Sequence, residues 1–202
     1  MSSVPFTSLT AWAHRLLAEV LVSGDLAVDL TAGNGWDSLF LWRRVAPLGR
    51  VLAFDVQAAA LNNTAKRLRE EGAPVFFSKV ETLGADPGVR LVEAGHEQVG
   101  RCLAEGPRAV VANLGYLPGG DRSLVTRRET TLAALDASLA QLLPGGRLAV
   151  IAYPGHAGGR EETQAVASLL AALPPNDFEV LALSAANYRE APRLWVAHKR
   201  GA

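Results

Sequence analysis

Asp29, Gly33, Gly35 and Asp37 crowd into one short run, Val28-Asp29-Leu30-Thr31-Ala32-Gly33-Asn34-Gly35-Trp36-Asp37. Glycine at two of these positions lets main-chain N–H groups approach a ligand with no Cβ in the way. The two carboxylates would repel a pyrophosphate at close range but suit a cationic or zwitterionic ligand. A dinucleotide fingerprint, G-x-G-x-x-G, also needs a third glycine where Ser38 stands. S-adenosylmethionine, with a sulfonium, an ammonium, one carboxylate and no phosphate, satisfies both conditions.

Two further stretches carry chemistry. Asn113-Leu114-Gly115-Tyr116-Leu117-Pro118-Gly119-Gly120-Asp121 mixes an amide, an aromatic ring and turn residues that make poor core material. It suits the wall of a pocket for a planar group bearing an amine: Asn113 can accept from an N–H and Tyr116 can stack on a base. Tyr153-Pro154-Gly155-His156-Ala157-Gly158-Gly159 is a second glycine-rich loop. An amine must shed a proton before it attacks, and Asp121 or His156 can receive it, imidazole being the side chain that titrates near neutrality.

Each stretch follows an apolar run, which is how an open α/β sheet builds sites at the carboxyl ends of its strands. Leu26 to Leu30 reads as a buried strand, followed by a helix carrying Leu39, Phe40, Trp42 and Ala46. Thr7 or Ser8 caps an earlier helix with Leu9, Trp12, Leu16, Leu17 and Val20 on one face. Arg50 to Asp55 is a second strand. Its terminal Asp55 lies about 20 residues past the turn, where such folds place an acid for ribose hydroxyls. Removing Asp55 is then expected to cost ligand affinity and little stability.

In the next helix Leu61, Ala65 and Leu68 face inward, and Lys66, Arg67, Arg69, Glu70 and Glu71 form a solvated face. Pro74 to Ser78 is a third strand, with Glu81 just beyond its end, within reach of an adenine or ribose. Leu91, Val92, Val99 and Leu103 predict a helix opened by Pro87-Gly88, with His96 at its surface and Cys102 in its core. Arg108 to Ala112 and Arg147 to Ala152 are the strands preceding the two chemical loops. Thr126 and Glu129 form a capping box for a helix through Leu132, Leu135, Leu139 and Leu142. Phe178 to Ser184 and Arg193 to His198 are joined by a short connection, which makes the last strand antiparallel.

With 202 residues, half of them apolar and a fifth charged, the chain reads as one soluble domain, a helix over 1–24 followed by a β/α core over 25–202. Its formal net charge of zero advertises no overall nucleic-acid field, so an RNA partner would need a local patch. A lone cysteine argues against a disulfide or a cysteine-rich metal site, and no metal is expected. Neither a membrane-length apolar run nor a signal peptide is present, which points to the cytoplasm and to no membrane partner.

From Asp29 to Asp37, over Phe54-Asp55-Val56-Gln57, and through the Asn113–Asp121 and Tyr153–Gly159 loops, the chain resembles the class I S-adenosylmethionine-dependent methyltransferases. More narrowly, it is similar to the bacterial family labelled rRNA methylase. That resemblance implies an α/β, Rossmann-like sheet of seven strands, mostly parallel with the last antiparallel, and helices on both faces. It implies that Asp29, Thr31, Gly33, Asn34, Gly35 and Asp37 meet the methionine part of the cofactor. Asp55 and Gln57 would meet the ribose and adenine edge, with Glu81 beside them. Asn113, Leu114, Gly115 and Tyr116 would line the transfer pocket, with Asp121 and His156 as proton acceptors.

Characterised members methylate the aminomethyl group of 5-aminomethyl-2-thiouridine at the tRNA wobble position, which makes a tRNA anticodon arm the expected substrate. Arg122, Arg127, Arg128 and Arg160 follow the two chemical loops and would meet its phosphates. Methylation of rRNA or of a small amine stays open, as do a nicotinamide-dependent oxidoreductase, an inactive adenosylmethionine-binding module and a homodimer. Relatives often carry histidine at the positions of Trp36 and Pro154, and a His–acid pair at Val80-Glu81.

Overall fold

The computed structural model describes residues 5–80, 85–117, 119 and 124–201. In chain order its elements are α1 (Leu9–Ala18), β1 (Leu26–Asp29), α2 (Trp36–Val45), β2 (Arg50–Asp55), α3 (Ala58–Glu70), β3 (Val75–Ser78) and β4 (Gly88–Glu93). A 3-10 turn over His96–Gln98 leads into α4 (Val99–Cys102), followed by β5 (Ala109–Asn113), α5 (Arg128–Gln141), β6 (Arg147–Ala152), α6 (Gly159–Ala171), β7 (Phe178–Ser184) and β8 (Arg193–Lys199).

All eight strands join one sheet in the order β3-β4-β2-β1-β5-β6-β8-β7. The chain runs outward from β1 through β2 to β4, then returns to pair β5 with the other side of β1. Strand order therefore reverses between β1 and β5, the place where open α/β sheets bind ligands. β8 slots between β6 and β7, antiparallel to both, as the short 185–192 connection requires.

Alternate residues of the central strands serve two cores. Ala27, Val111 and Ile151 face the side covered by α1, α2 and α3, where Leu17, Leu41, Val45, Leu61 and Leu68 are buried. Val28, Val110 and Val150 face the other, under α4, α5 and α6, with Val99, Leu135, Leu139, Val166 and Leu170. The sheet is thus covered on both faces, which is why its strands read as continuous apolar runs. Among the described residues no helix is long and apolar enough to cross a membrane.

The structure corrects the middle of the chain. Residues 88–93 form β4 rather than the start of a helix, so there are eight strands where the sequence predicts seven. Leu91 and Val92 lie on opposite faces of this strand, one in each core. With Val99 and Leu103 they imitate a helical repeat. Arg90 hides the strand further, because it is buried with its guanidinium 5.1 Å from the Phe76 ring. β4, not β3, lies beside β2, and β3 is pushed to the sheet edge with Phe76 and Phe77 exposed.

Candidate active site

A cavity of ≈ 870 Å³ opens outside the carboxyl ends of β1, β2, β4 and β5. Thr31, Gly33, Asn34, Asp37, Asp55, Gln57, Asn113, Leu114, Gly115, Tyr116 and His156 all line it, so most of the expected site residues share one wall. Asp29 and Gly35 do not. Gly35 is buried, and a Cβ there would come within 2.8 Å of Thr64 Cα. Its glycine serves the packing of α3 against the turn, and its φ of +81° starts α2.

Asp29 is fully buried beneath the turn as a structural anchor. Its Oδ1 accepts from the Thr31 N–H at 3.0 Å and its Oδ2 from the Ser38 hydroxyl at 2.6 Å. Ser38 occupies the position of the third glycine because its hydroxyl is needed there. Burial first, and the nearby Asp37 charge second, push the Asp29 carboxyl from 3.8 up to about 7. The native state therefore holds a proton that the unfolded chain releases near pH 3.8. This contribution to stability falls as pH rises from about 4 to about 7 and is level above that. Asp29→Asn should remove that slope, measured as the wild-type-minus-variant difference in urea unfolding free energy across the window. A pH-independent difference would mean that Asp29 is ionised throughout.

The cavity-facing acid of the turn is Asp37. Its Oδ1 meets His14 Nε2 at 2.5 Å, and the His14 ring stacks on Phe40 with centroids 4.0 Å apart. This clasp draws α1 onto α2, and Thr10 of α1 joins the cavity wall. Tyr153 lines the same region, and burial, with the charge of Asp37, pushes its phenol upward, keeping the hydroxyl protonated. His14 was not singled out from sequence because it meets Asp37 only across the fold.

Asp55 stands at the end of β2 with its carboxylate already in use. Gly33 N–H donates to Oδ2 at 3.0 Å and Gln57 N–H to Oδ1 at 2.9 Å. It ties the glycine turn to the next strand as well as facing the cavity. Burial nevertheless raises its pKa, only partly offset by those N–H groups.

Glu81 lies outside the described residues, and the strand beside β2 is β4. Ala94, His96 and Glu97, following β4, line the cavity there. His96 and Glu97 thus stand at the carboxyl end of β4, on the Asp55 side of the cavity. His96 is buried rather than superficial, with Nδ1 3.3 Å from Leu30 O. A carbonyl can only accept, so Nδ1 carries the proton, and burial lowers the imidazole pKa and favours that neutral form.

The loop after β5 is held by its main chain. Asn113 N–H donates to Thr31 Oγ1 at 2.8 Å and Leu114 N–H to Ile151 O at 2.8 Å. Gly115 N–H donates to Thr126 Oγ1 at 2.9 Å, and Gly115 O accepts from Thr126 N–H at 2.9 Å. Thr126 is thus a loop clamp and not the helix cap. α5 starts at Arg128 with Arg127 as its cap residue, and no side chain caps it.

Thr126 in turn donates to Glu162 Oε2 at 2.8 Å, and Thr131 donates to Glu162 Oε1 at 2.6 Å. Glu162 is buried. The two threonine hydroxyls supply the charge-assisted bonds that a buried carboxylate needs.

His156 lines the cavity from the loop after β6. Its Nδ1 lies 3.0 Å from Ala157 O, so Nδ1 is again the protonated nitrogen. Nε2 is buried and has no hydrogen-bond partner among the described residues. A Cβ added at Gly115 would lie 3.7 Å from this atom, and the Tyr116 ring sits edge-on with centroids 6.4 Å apart. Nε2 therefore sits between Gly115 of the Asn113–Tyr116 loop and Gly159, where an added Cβ would come within 2.9 Å of it. Asp121 and Arg122 lie outside the described residues.

The remaining arginines divide. Arg127 lines the cavity and makes no ion pair among the described residues. Arg128 and Arg160 line a second, shallower depression with Asp136 and Glu161, and Arg160 is ion-paired with Glu190.

Comparison with known proteins agrees with this geometry. The family model described as "Putative rRNA methylase" matches residues 51–199. A chloroplastic tRNA (mnm(5)s(2)U34)-methyltransferase of Arabidopsis thaliana is 35% identical over 198 residues, covering 95% of this chain and 69% of that protein. A solved structure assigned as an rRNA methylase from Clostridium thermocellum is 32% identical with a TM-score of 0.85, over 97% of this chain and 100% of that one. A Streptococcus mutans structure assigned as a methyltransferase, solved with S-adenosylhomocysteine, is 32% identical with a TM-score of 0.81, over 98% and 99%. The chain is an S-adenosylmethionine-dependent methyltransferase and belongs to this rRNA-methylase family.

Proposed function

We propose that this methyltransferase, working as one domain, transfers a methyl group from S-adenosylmethionine to the primary amine of an aminomethyl-uridine at the tRNA wobble position. The observation that carries this reading is His156 Nε2, which lines the cavity beside Gly115 of the Asn113–Tyr116 loop and has no hydrogen-bond partner among the described residues. An amine substrate is the kind that needs such an acceptor.

The residues fit the cofactor. Asp37, with its Oδ1 held by His14, is an acid on the cavity wall suited to an ammonium, and Asp55 is placed for ribose hydroxyls. Gly33, Asn34, Gln57 and Leu114 would hold the rest, with His96 and Glu97 flanking the adenine. When bound, S-adenosylmethionine supplies an electrophilic methyl group whose sulfonium leaves as a neutral thioether. The protein's part is then placement and proton removal. Asn113, fixed through Thr31, accepts from the amine N–H, Tyr116 flanks the uracil ring, and His156 Nε2 takes the proton that the amine sheds.

Tritiated cofactor, the protein and bulk tRNA lacking this methylation should yield labelled 5-methylaminomethyl-2-thiouridine on nucleoside analysis. Label appearing in rRNA and not in tRNA would replace this reading with the family's other name.

Phosphate contact is expected from Arg127, with Arg128 at its side. Arg127→Ala/Arg128→Ala should raise KM for tRNA while leaving S-adenosylhomocysteine affinity alone. It should also flatten log affinity against log salt by about 0.7 per lost contact to a single-stranded loop. No cap is lost, since neither side chain caps α5. Wild-type kinetics and salt slope in the double variant would reduce these arginines to a solvated helix start. Arg160, already paired with Glu190, should contribute less.

A further inference from the structure

Trp36 is the first residue of α2, on the rim of the cavity, with 61% of its surface exposed. The positive φ of Gly35, fixed by its close approach to Thr64, sets the direction in which the chain leaves the turn at this tryptophan. An indole left this open loses the gain of burial, so its cost must be offset by another contact. One such contact is present: the Arg67 guanidinium lies 3.3 Å from the ring centroid. Arg67 is held in place by its Nε–H, which donates to Asn34 O at 2.7 Å. Its terminal nitrogens meet no carboxylate among the described residues. Arg67, read from sequence as part of a solvated face, is instead half of a composite surface.

That surface has three properties together. It offers a flat aromatic face, because Arg67 covers one side of the indole and leaves the other. It carries a positive charge with no carboxylate partner among the described residues, held beside the ring. It borders the same cavity that holds Asn113 and His156. A flat ring with an adjacent cation matches one chemical unit well, an unpaired nucleotide with its base on the ring and its phosphate at the guanidinium.

We infer that Trp36 and Arg67 form a stacking shelf for the unpaired nucleotide next to the one being methylated. The shelf rests on the RNA reading above. It also accounts for specificity toward a loop over a duplex, since paired bases cannot present a face to it.

The test uses the full chain with an anticodon stem-loop RNA and, separately, the free aminomethyl nucleoside. Equilibrium RNA affinity is measured by fluorescence anisotropy in the presence of S-adenosylhomocysteine, and KM and kcat for both substrates by methyl transfer. Trp36→Ala should weaken stem-loop binding about 10- to 100-fold, the range found when one base–aromatic stack is removed. Trp36→Phe should recover most of that loss, and Arg67→Ala should weaken binding and lower the salt slope. The effect on the stem-loop should exceed that on the nucleoside by at least about 10-fold. Thermal melting of each variant shows that it is folded. A Trp36→Ala protein that binds the stem-loop as well as wild type overturns the shelf while leaving the wobble reading standing. Equal losses with stem-loop and nucleoside overturn it too, placing Trp36 against the reacting base. A wild-type protein that neither binds nor methylates RNA ends both.

Discussion

His156→Ala should lower kcat for the amine substrate by about 10²- to 10⁴-fold, the usual contribution of a positioned acid–base group. KM and S-adenosylhomocysteine affinity should move little, because Nε2 has no partner among the described residues whose loss would disturb the site. Two signatures separate proton removal from simple space filling. Free imidazole added to the alanine variant should restore part of the rate. The deficit should also shrink as pH rises toward about 10, where a primary alkylamine like that of lysine loses its proton unaided. An alanine variant with wild-type kcat at pH 7 would remove His156 from the chemistry. Proton transfer would then have to pass to water or to Asp121.

The second large effect belongs to Asp55, and the structure changes what it should look like. Asp55→Ala should weaken S-adenosylhomocysteine binding about 10- to 100-fold through loss of charge-assisted bonds to ribose. It should also destabilise the fold, against the expectation from sequence, because the Gly33 and Gln57 N–H groups lose their acceptor. Each orphaned N–H costs about 1–3 kcal/mol, with the lower end expected where water can enter. Calorimetry for affinity and urea unfolding for stability read the two losses separately. Asp55→Asn keeps an acceptor oxygen and should recover part of the stability. Because burial raises its pKa, Asp55 gains its proton at a higher pH than an exposed aspartate. Cofactor affinity should therefore begin to fall earlier than usual on acidification. A drop in melting temperature with an unchanged dissociation constant would make Asp55 a turn anchor only.

What could be read from the sequence was local. The Val28–Asp37 turn is legible because strand, glycines and helix follow one another within a few residues, and each glycine has a conformational reason. The carboxyl-end loops at Asn113 and His156 are legible for the same reason. β4 was hidden by Arg90, whose burial against Phe76 depends on an edge strand more than ten residues away in sequence. That miss shifted the count by one strand and left His96 and Glu97, which line the cavity after β4, out of the expected site. Asp29 was placed in the pocket because its spacing from the glycines is right, and only the Ser38 hydroxyl shows that its side chain turns inward. His14 and Glu162 are invisible to any local pattern, since their partners come from other elements of the fold.

The Glu162 network bears on how this protein can change over generations. Gly115 N–H, Thr126, Thr131 and Glu162 form one chain of donors and acceptors across three separate parts of the sequence. Losing either threonine hydroxyl leaves a buried carboxylate short of a donor, and losing the carboxylate strands both hydroxyls. No single substitution offers an easy intermediate, so descendants should keep these three side chains together or replace them together. The same holds for anyone moving the Asn113–Tyr116 loop onto another methyltransferase scaffold. The graft has to bring α5 and the first turn of α6 with it, or the loop arrives without the hydroxyl that shapes it.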